Sequence, residues 1–123
     1  MPTALLLIAH GSRRAEANAD LVSLAGDVRA RRPDFVHIQP SYLELAEPSI
    51  EEGGAVCVEK FGATDVVMLP YFLSPGRHVM EDMTAAQSAL AVRFPEVRFR
   101  LAGHLGRHPK LTEIVLERVG EAG

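Results

Sequence analysis

Short apolar runs alternate with longer stretches in which apolar residues recur at helical spacing. Positions 4–9 form an unbroken apolar run that stops at His10-Gly11-Ser12. Such a run predicts a strand covered on both faces. Leu21, Leu24, Ala25 and Val28 then fall at i, i+3, i+4 and i+7, predicting a helix over about 14–31 with one apolar face, stopped by Pro33. Positions 36–43 read as a second strand, and Pro40 within it indicates an edge position. Pro48 at a first helical position, with Glu51 and Glu52 in the first turn, marks a second helix. Its apolar face carries Ile50, Cys57 and Phe61, and Gly53-Gly54 weakens it. Positions 65–71 form the third strand, after which Ser74-Pro75-Gly76 breaks the chain. Val79, Met83, Ala86, Leu90 and Phe94 share one face of a third helix, and 97–102 is a fourth strand ending at Gly103. Pro109 opens a last helix with Leu111, Ile114, Val115 and Val119 turned inward. The order is βαβαβαβα, which implies an α/β fold: one four-stranded parallel sheet with right-handed crossovers and helices on both faces.

The chain has 123 residues, enough for one domain and one core. Its formal net charge of −3 offers no concentrated basic face, so nucleic acid is not an expected partner. Cys57 is the single cysteine, which excludes an internal disulfide and a cysteine-based zinc site and fits a reducing compartment. The apolar run at 4–9 is too short to span a bilayer and lacks the flanks of a signal peptide. The expectation is a cytoplasmic protein that does not engage a membrane.

Candidate chemistry collects at one edge of the predicted sheet. His10 follows strand one, Glu44 strand two, His78 strand three and His104 strand four, with His108 four residues further on. In an open parallel sheet every strand ends on the same edge, where ligands bind. Neutral imidazole suits divalent Fe, Co, Ni and Zn, a carboxylate can complete such a site, and imidazole also exchanges protons near neutral pH. Each histidine taken singly reads equally well as a loop residue bonded to backbone, and His108 before Pro109 reads as a cap or turn. His37 lies inside strand two and reads as a packing or surface residue. Glu44 also belongs to an acidic stretch with Glu47, Glu51 and Glu52 that reads as a solvated face. Arg13, Arg14, Arg77 and Arg107 flank the same loops. Guanidinium groups pair with carboxylates, so they suggest a polycarboxylate substrate, although each singly is more simply a surface charge balancing nearby glutamates.

At these residues the sequence resembles the small sirohydrochlorin chelatases, the CbiX and SirB family of the class II chelatases. The matching segments are Leu-Leu-Ile-Ala-His-Gly-Ser-Arg at 6–13, Tyr-Leu-Glu-Leu-Ala-Glu-Pro-Ser at 42–49, Val-Met-Leu-Pro-Tyr-Phe-Leu at 67–73 leading to Gly-Arg-His-Val at 76–79, and Leu-Gly-Arg-His-Pro at 105–109. They run in the family's order almost from end to end. The resemblance implies a single chelatase lobe over 1–123, paired as a homodimer where longer relatives carry two lobes. It implies insertion of Co²⁺ or Fe²⁺, with Ni²⁺ a further candidate, into sirohydrochlorin, with no organic cofactor. It places metal binding and catalysis on His10, Glu44 and His78. Arg13, Arg77, Ser12 and Tyr71 are then expected around the substrate, whose carboxylates suit the arginine rim. His104 and His108 are left open.

Three other readings remain. A histidine phosphatase would carry an arginine before the histidine, where this chain has Ala9. A carrier of metal or tetrapyrrole would bind without insertion, and a plain structural domain would bind neither. The sequence has no dinucleotide-binding glycine motif, no phosphate loop and no serine elbow.

Overall fold

The computed structural model describes residues 2–123. Four strands and four helices alternate: β1 (Thr3–Ala9), α1 (Ala15–Arg31), β2 (His37–Tyr42), α2 (Ile50–Glu59), β3 (Asp65–Pro70), α3 (Arg77–Arg93), β4 (Arg98–Leu101) and α4 (Pro109–Glu121). The strands form one parallel sheet in the order β2-β1-β3-β4. β1 is central, and its run from Ala4 to Ile8 is buried throughout, as the unbroken apolar pattern requires. Pro40 lies on the edge strand β2, opposite Leu7, where a missing N–H costs no ladder bond on the open side.

The pleat sends alternate β1 residues into two separate cores. Leu5 and Leu7 pack with Leu21 and Ala25 of α1 and with Ile38 and Tyr42. Ala4, Leu6 and Ile8 pack on the opposite face with Ile50 and Cys57 of α2 and with Met83, Ala86 and Leu90 of α3. Burial pushes the Cys57 thiol up to about 12, so it stays protonated and unreactive at neutral pH. α1 thus covers one face while α2 and α3 cover the other. The connections from β1 to β2 and from β3 to β4 leave in opposite directions, which puts the switch point between the carboxyl ends of β1 and β3.

Three local expectations are corrected. Pro48 is not the first helical residue: α2 starts at Ile50 with Ser49 as its cap. Ser49 Oγ accepts from the Glu52 N–H at 3.2 Å and the Ser49 N–H donates to Glu52 Oε1 at 2.8 Å. This reciprocal pair outcompetes proline as the start and holds the Glu52 carboxyl below its usual value. Phe61 does not join the α2 core face, because the helix ends at Glu59; its ring stacks on His37 at 3.8 Å between centroids. Finally, the inward packing expected of α4 does not occur. None of its residues is buried, and Ile114, Val115 and Val119 stand exposed. The periodicity marks an apolar face, but the lobe does not cover it.

Candidate metal-handling site

The site begins where β1 and β2 extend past their regular ends. The Leu43 N–H donates to the Ala9 carbonyl at 2.9 Å, and the Glu44 N–H donates to the His10 carbonyl at 3.0 Å. This backbone zipper carries Glu44 alongside His10. Their side chains meet with His10 Nε2 3.5 Å from Glu44 Oε2, both about half exposed. Gly11 and Leu45, the residues that follow each partner, have φ of +99° and +64°. The imidazole and carboxylate stand at the lip of the edge, where both chains leave extended geometry. The pair can bind a cation on one side and take up a proton on the other.

Ser12 lies in the turn after Gly11. Its N–H donates to Asn18 Oδ1 at 2.9 Å and its carbonyl accepts from Asn18 Nδ2 at 2.7 Å. Ser12 Oγ accepts from the Arg14 N–H at 3.0 Å. The hydroxyl thus helps to shape the entry to α1 and keeps its own proton to donate. Arg13 lines a shallow groove with Ser12, Asn18 and Glu47 beside this turn.

His78 occupies the first turn of α3, with 92% of its side chain exposed. Its Nδ1 lies 3.8 Å from Glu81 Oε2, while Arg77 Nε lies 3.8 Å from Glu81 Oε1. Glu81 was missed in the sequence, although the i+3 and i+4 spacings to His78 and Arg77 signal it. Among the described residues no three histidine, cysteine, aspartate or glutamate side chains approach closely enough to share one metal ion. The structure therefore joins His10 with Glu44 and pairs His78 with Glu81, but it does not gather the three expected donors into one cluster.

Tyr71, His104 and His108 gather elsewhere, around a cleft at the carboxyl ends of β3 and β4. The Tyr71 N–H donates to the Ile8 carbonyl at 2.7 Å, placing this residue beside the end of β1. His108 caps α4: its Nδ1 accepts from the Lys110 N–H at 3.1 Å. The capping role expected of His108 from the proline that follows it is thus present. His104 Nδ1 is buried and has no hydrogen-bond partner among the described residues.

Comparison with known proteins bears on this arrangement. A family model described as CbiX matches residues 4–122. The chain is 33% identical over 115 residues to the chloroplastic sirohydrochlorin ferrochelatase of Arabidopsis thaliana, covering 94% of this chain and 50% of that protein. It is 32% identical over 121 residues to a sirohydrochlorin cobaltochelatase of Priestia megaterium, covering 97% of this chain and 38% of that protein. The chain thus spans half or less of these two relatives. A crystal structure of a putative cobalamin biosynthesis CbiX protein from Marinobacter aquaeolei VT8 superposes with a TM-score of 0.83 at 29% identity, covering 98% of this chain and 97% of the other. The family match along nearly the whole length and the shared fold agree: this chain belongs to the CbiX family.

Proposed function

We propose that this protein inserts a divalent metal, Co²⁺ or Fe²⁺, into sirohydrochlorin, and that it does so as a homodimer in the cytoplasm without an organic cofactor. The observation that carries this reading is the His10–Glu44 pair, 3.5 Å apart and open to solvent at the carboxyl edge of the sheet. The two relatives, one named for iron and one for cobalt, support the reaction class and leave the choice of metal open. Ni²⁺ shares the same preference for imidazole and carboxylate.

His10 and Glu44 hold the incoming cation in an open geometry, and His78 supplies the third donor once metal and macrocycle bring the α3 turn to them. A two-donor grip suits a metal that must be passed on, since a closed four-ligand cage would retain it. Two pyrrole N–H protons leave as the cation enters, and imidazole and Glu44 accept them on the way to solvent. Arg13, Arg77, Ser12 and Tyr71 hold the carboxylated rim of the macrocycle, so that orientation rather than covalent chemistry lowers the barrier. A second lobe encloses the opposite face of the substrate. The half-length match to the two relatives supports this pairing.

The test is purified protein with sirohydrochlorin and each metal in turn, followed by absorbance. A metallated spectrum is expected, and His10→Ala should abolish it while far-UV circular dichroism stays native. Wild-type insertion by that variant would remove His10 from the mechanism. Binding of metal and macrocycle without the metallated spectrum would make the protein a carrier.

A further inference from the structure

The cleft that collects Tyr71, His104 and His108 is separate from the His10–Glu44 pair and has a chemistry of its own. It holds about 670 Å³ between the carboxyl ends of β3 and β4 and the first turns of α4. That volume falls in the range of small-molecule sites. Its walls are mostly apolar, with Leu69 from the sheet and Leu111 and Ile114 from α4. The polar groups on its lining are Tyr71, His104, His108 and Lys110, and no carboxylate lines it, although the chain as a whole is acidic.

The hydrogen-bond pattern fixes His108 as a donor. His108 Nδ1 accepts from the Lys110 N–H, so the proton of the neutral ring sits on Nε2, which can donate but cannot ligate a metal. Lys110 makes no ion pair with any carboxylate among the described residues, which leaves its ammonium free. The buried His104 Nδ1 has no hydrogen-bond partner among the described residues. An apolar cleft lined by a free ammonium, the His108 Nε2–H donor and a tyrosine, with no carboxylate, suits a flat, apolar body carrying anionic oxygens. It is poorly suited to a free cation.

We infer that this cleft is a subsite for the macrocycle's periphery: a pyrrole edge lies between Leu69 and Ile114, and its carboxylates meet Lys110 Nζ, His108 Nε2–H and the Tyr71 hydroxyl. The inference rests on the chelatase reading and deepens it, assigning recognition of the acidic rim to α4 while metal handling stays at His10 and Glu44. Loss of one charge-assisted contact of this kind costs about ten- to a hundred-fold in affinity.

The experiment titrates metal-free sirohydrochlorin, and separately its carboxylate-esterified form, into native protein, Lys110→Glu, Lys110→Arg and Ile114→Trp. Co²⁺ uptake is measured on each protein alone, and circular dichroism checks the fold. Lys110→Glu should weaken binding of the free acid at least ten-fold, Lys110→Arg should largely retain it, and Ile114→Trp should weaken it by filling the cleft. Co²⁺ uptake should stay native, the ester should not distinguish Lys110→Glu from native protein, and in turnover the loss should fall on KM rather than kcat. Native-like binding of the free acid by both Lys110→Glu and Ile114→Trp would overturn the subsite and leave the chelatase reading standing. A loss on Lys110→Glu that is equally large for the ester would also overturn it. Charge-dependent binding without any metallated spectrum would instead keep the subsite and remove the chelatase. Absence of macrocycle binding by native protein would end both.

Discussion

At Gly11 the chain runs so close to the Glu44 backbone that a Cβ would collide with the Glu44 carbonyl oxygen, and φ is +99°, where an L side chain is strained. The contact fixes the distance between the two loops that carry His10 and Glu44. Gly11→Ala should therefore cost roughly 1–3 kcal/mol of stability and, by pushing the loops apart, remove most metal insertion. Thermal denaturation and the absorbance assay measure the two effects, and native activity would show that the spacing of the pair is unimportant. Gly106 plays the same part at the far side of the edge, where a Cβ would collide with the Leu73 carbonyl oxygen. His-Gly-Ser stood out in the sequence for its histidine, and the need for the glycine was not legible, because it arises from a partner loop 33 residues away in the chain. The same holds for Asp65 and Arg100, which pair side-on at 2.9 and 2.6 Å across β3 and β4. The Arg100 hydrogen bonds hold the Asp65 carboxyl below its usual value. A depressed folded value means that this contribution is present above the unfolded aspartate value, about 3.9, and is lost as pH falls through the lower folded one. Arg100→Ala should strand a carboxylate that is only 11% exposed, costing about 1–3 kcal/mol near neutral pH and less towards pH 2. Urea denaturation at both pH values checks it, and an equal loss at both would contradict the pairing.

Among the elements, α2 shows how a residue that is poor for a helix can be required by its packing. Gly53-Gly54 reads as a weakness in the sequence, yet both glycines are buried against neighbours. A Cβ at Gly53 would stand 3.0 Å from Leu6 Cδ1 and from Ser41 Cβ, and one at Gly54 would stand 2.7 Å from both methyls of Leu90. The glycines let α2 lie close on β1 and β2 and against α3. Gly54→Ala should raise intrinsic helix propensity and still destabilise the fold by roughly 1–3 kcal/mol, because Leu90 is fully buried and has no room to move. A higher melting temperature for this variant would show the approach to be slack. Element order, strand positions and the buried faces of α1 and α3 were legible because periodicity reports burial directly. The α2 start and the place of Phe61 were not, since the Ser49–Glu52 box and the stacking on His37 are local chemistry that periodicity does not carry.

For the molecule as a whole, the sequence correctly sent His10 and Glu44 to one edge, because parallel strands end together whatever their separation in the chain. It could not show that His78 would stand apart with Glu81, since which side chains meet at that edge depends on loop paths. Nor could it show what covers α4, because an apolar stripe in a sequence does not say whether its cover lies in the same molecule. Among the described residues nothing covers it: Ile114, Val115 and Val119 remain about half or more exposed. A row of exposed valine and isoleucine on an isolated lobe is the kind of patch that a partner surface covers. The homodimer proposed above would put a second copy of the chain on it, in keeping with the two longer relatives of which this chain spans half or less. A two-fold arrangement would set Val115 and Val119 of the two copies against each other, with Ile114 left on the cleft, since an isologous interface uses the same patch on both sides. Light scattering after size exclusion should then give a mass of twice 13.4 kDa for the native protein. Val115→Glu combined with Val119→Glu should give a folded monomer, because two buried carboxylates per helix cannot be paired across a symmetric apolar contact. The monomer should keep the circular dichroism of the lobe, whose own cores do not include α4. It should lose metal insertion, since one wall of the substrate cavity leaves with the partner. A doubly substituted protein that still elutes as a dimer would place the interface elsewhere on the lobe. A native protein that elutes as a monomer at micromolar concentration would leave the α4 stripe without a partner of its own kind.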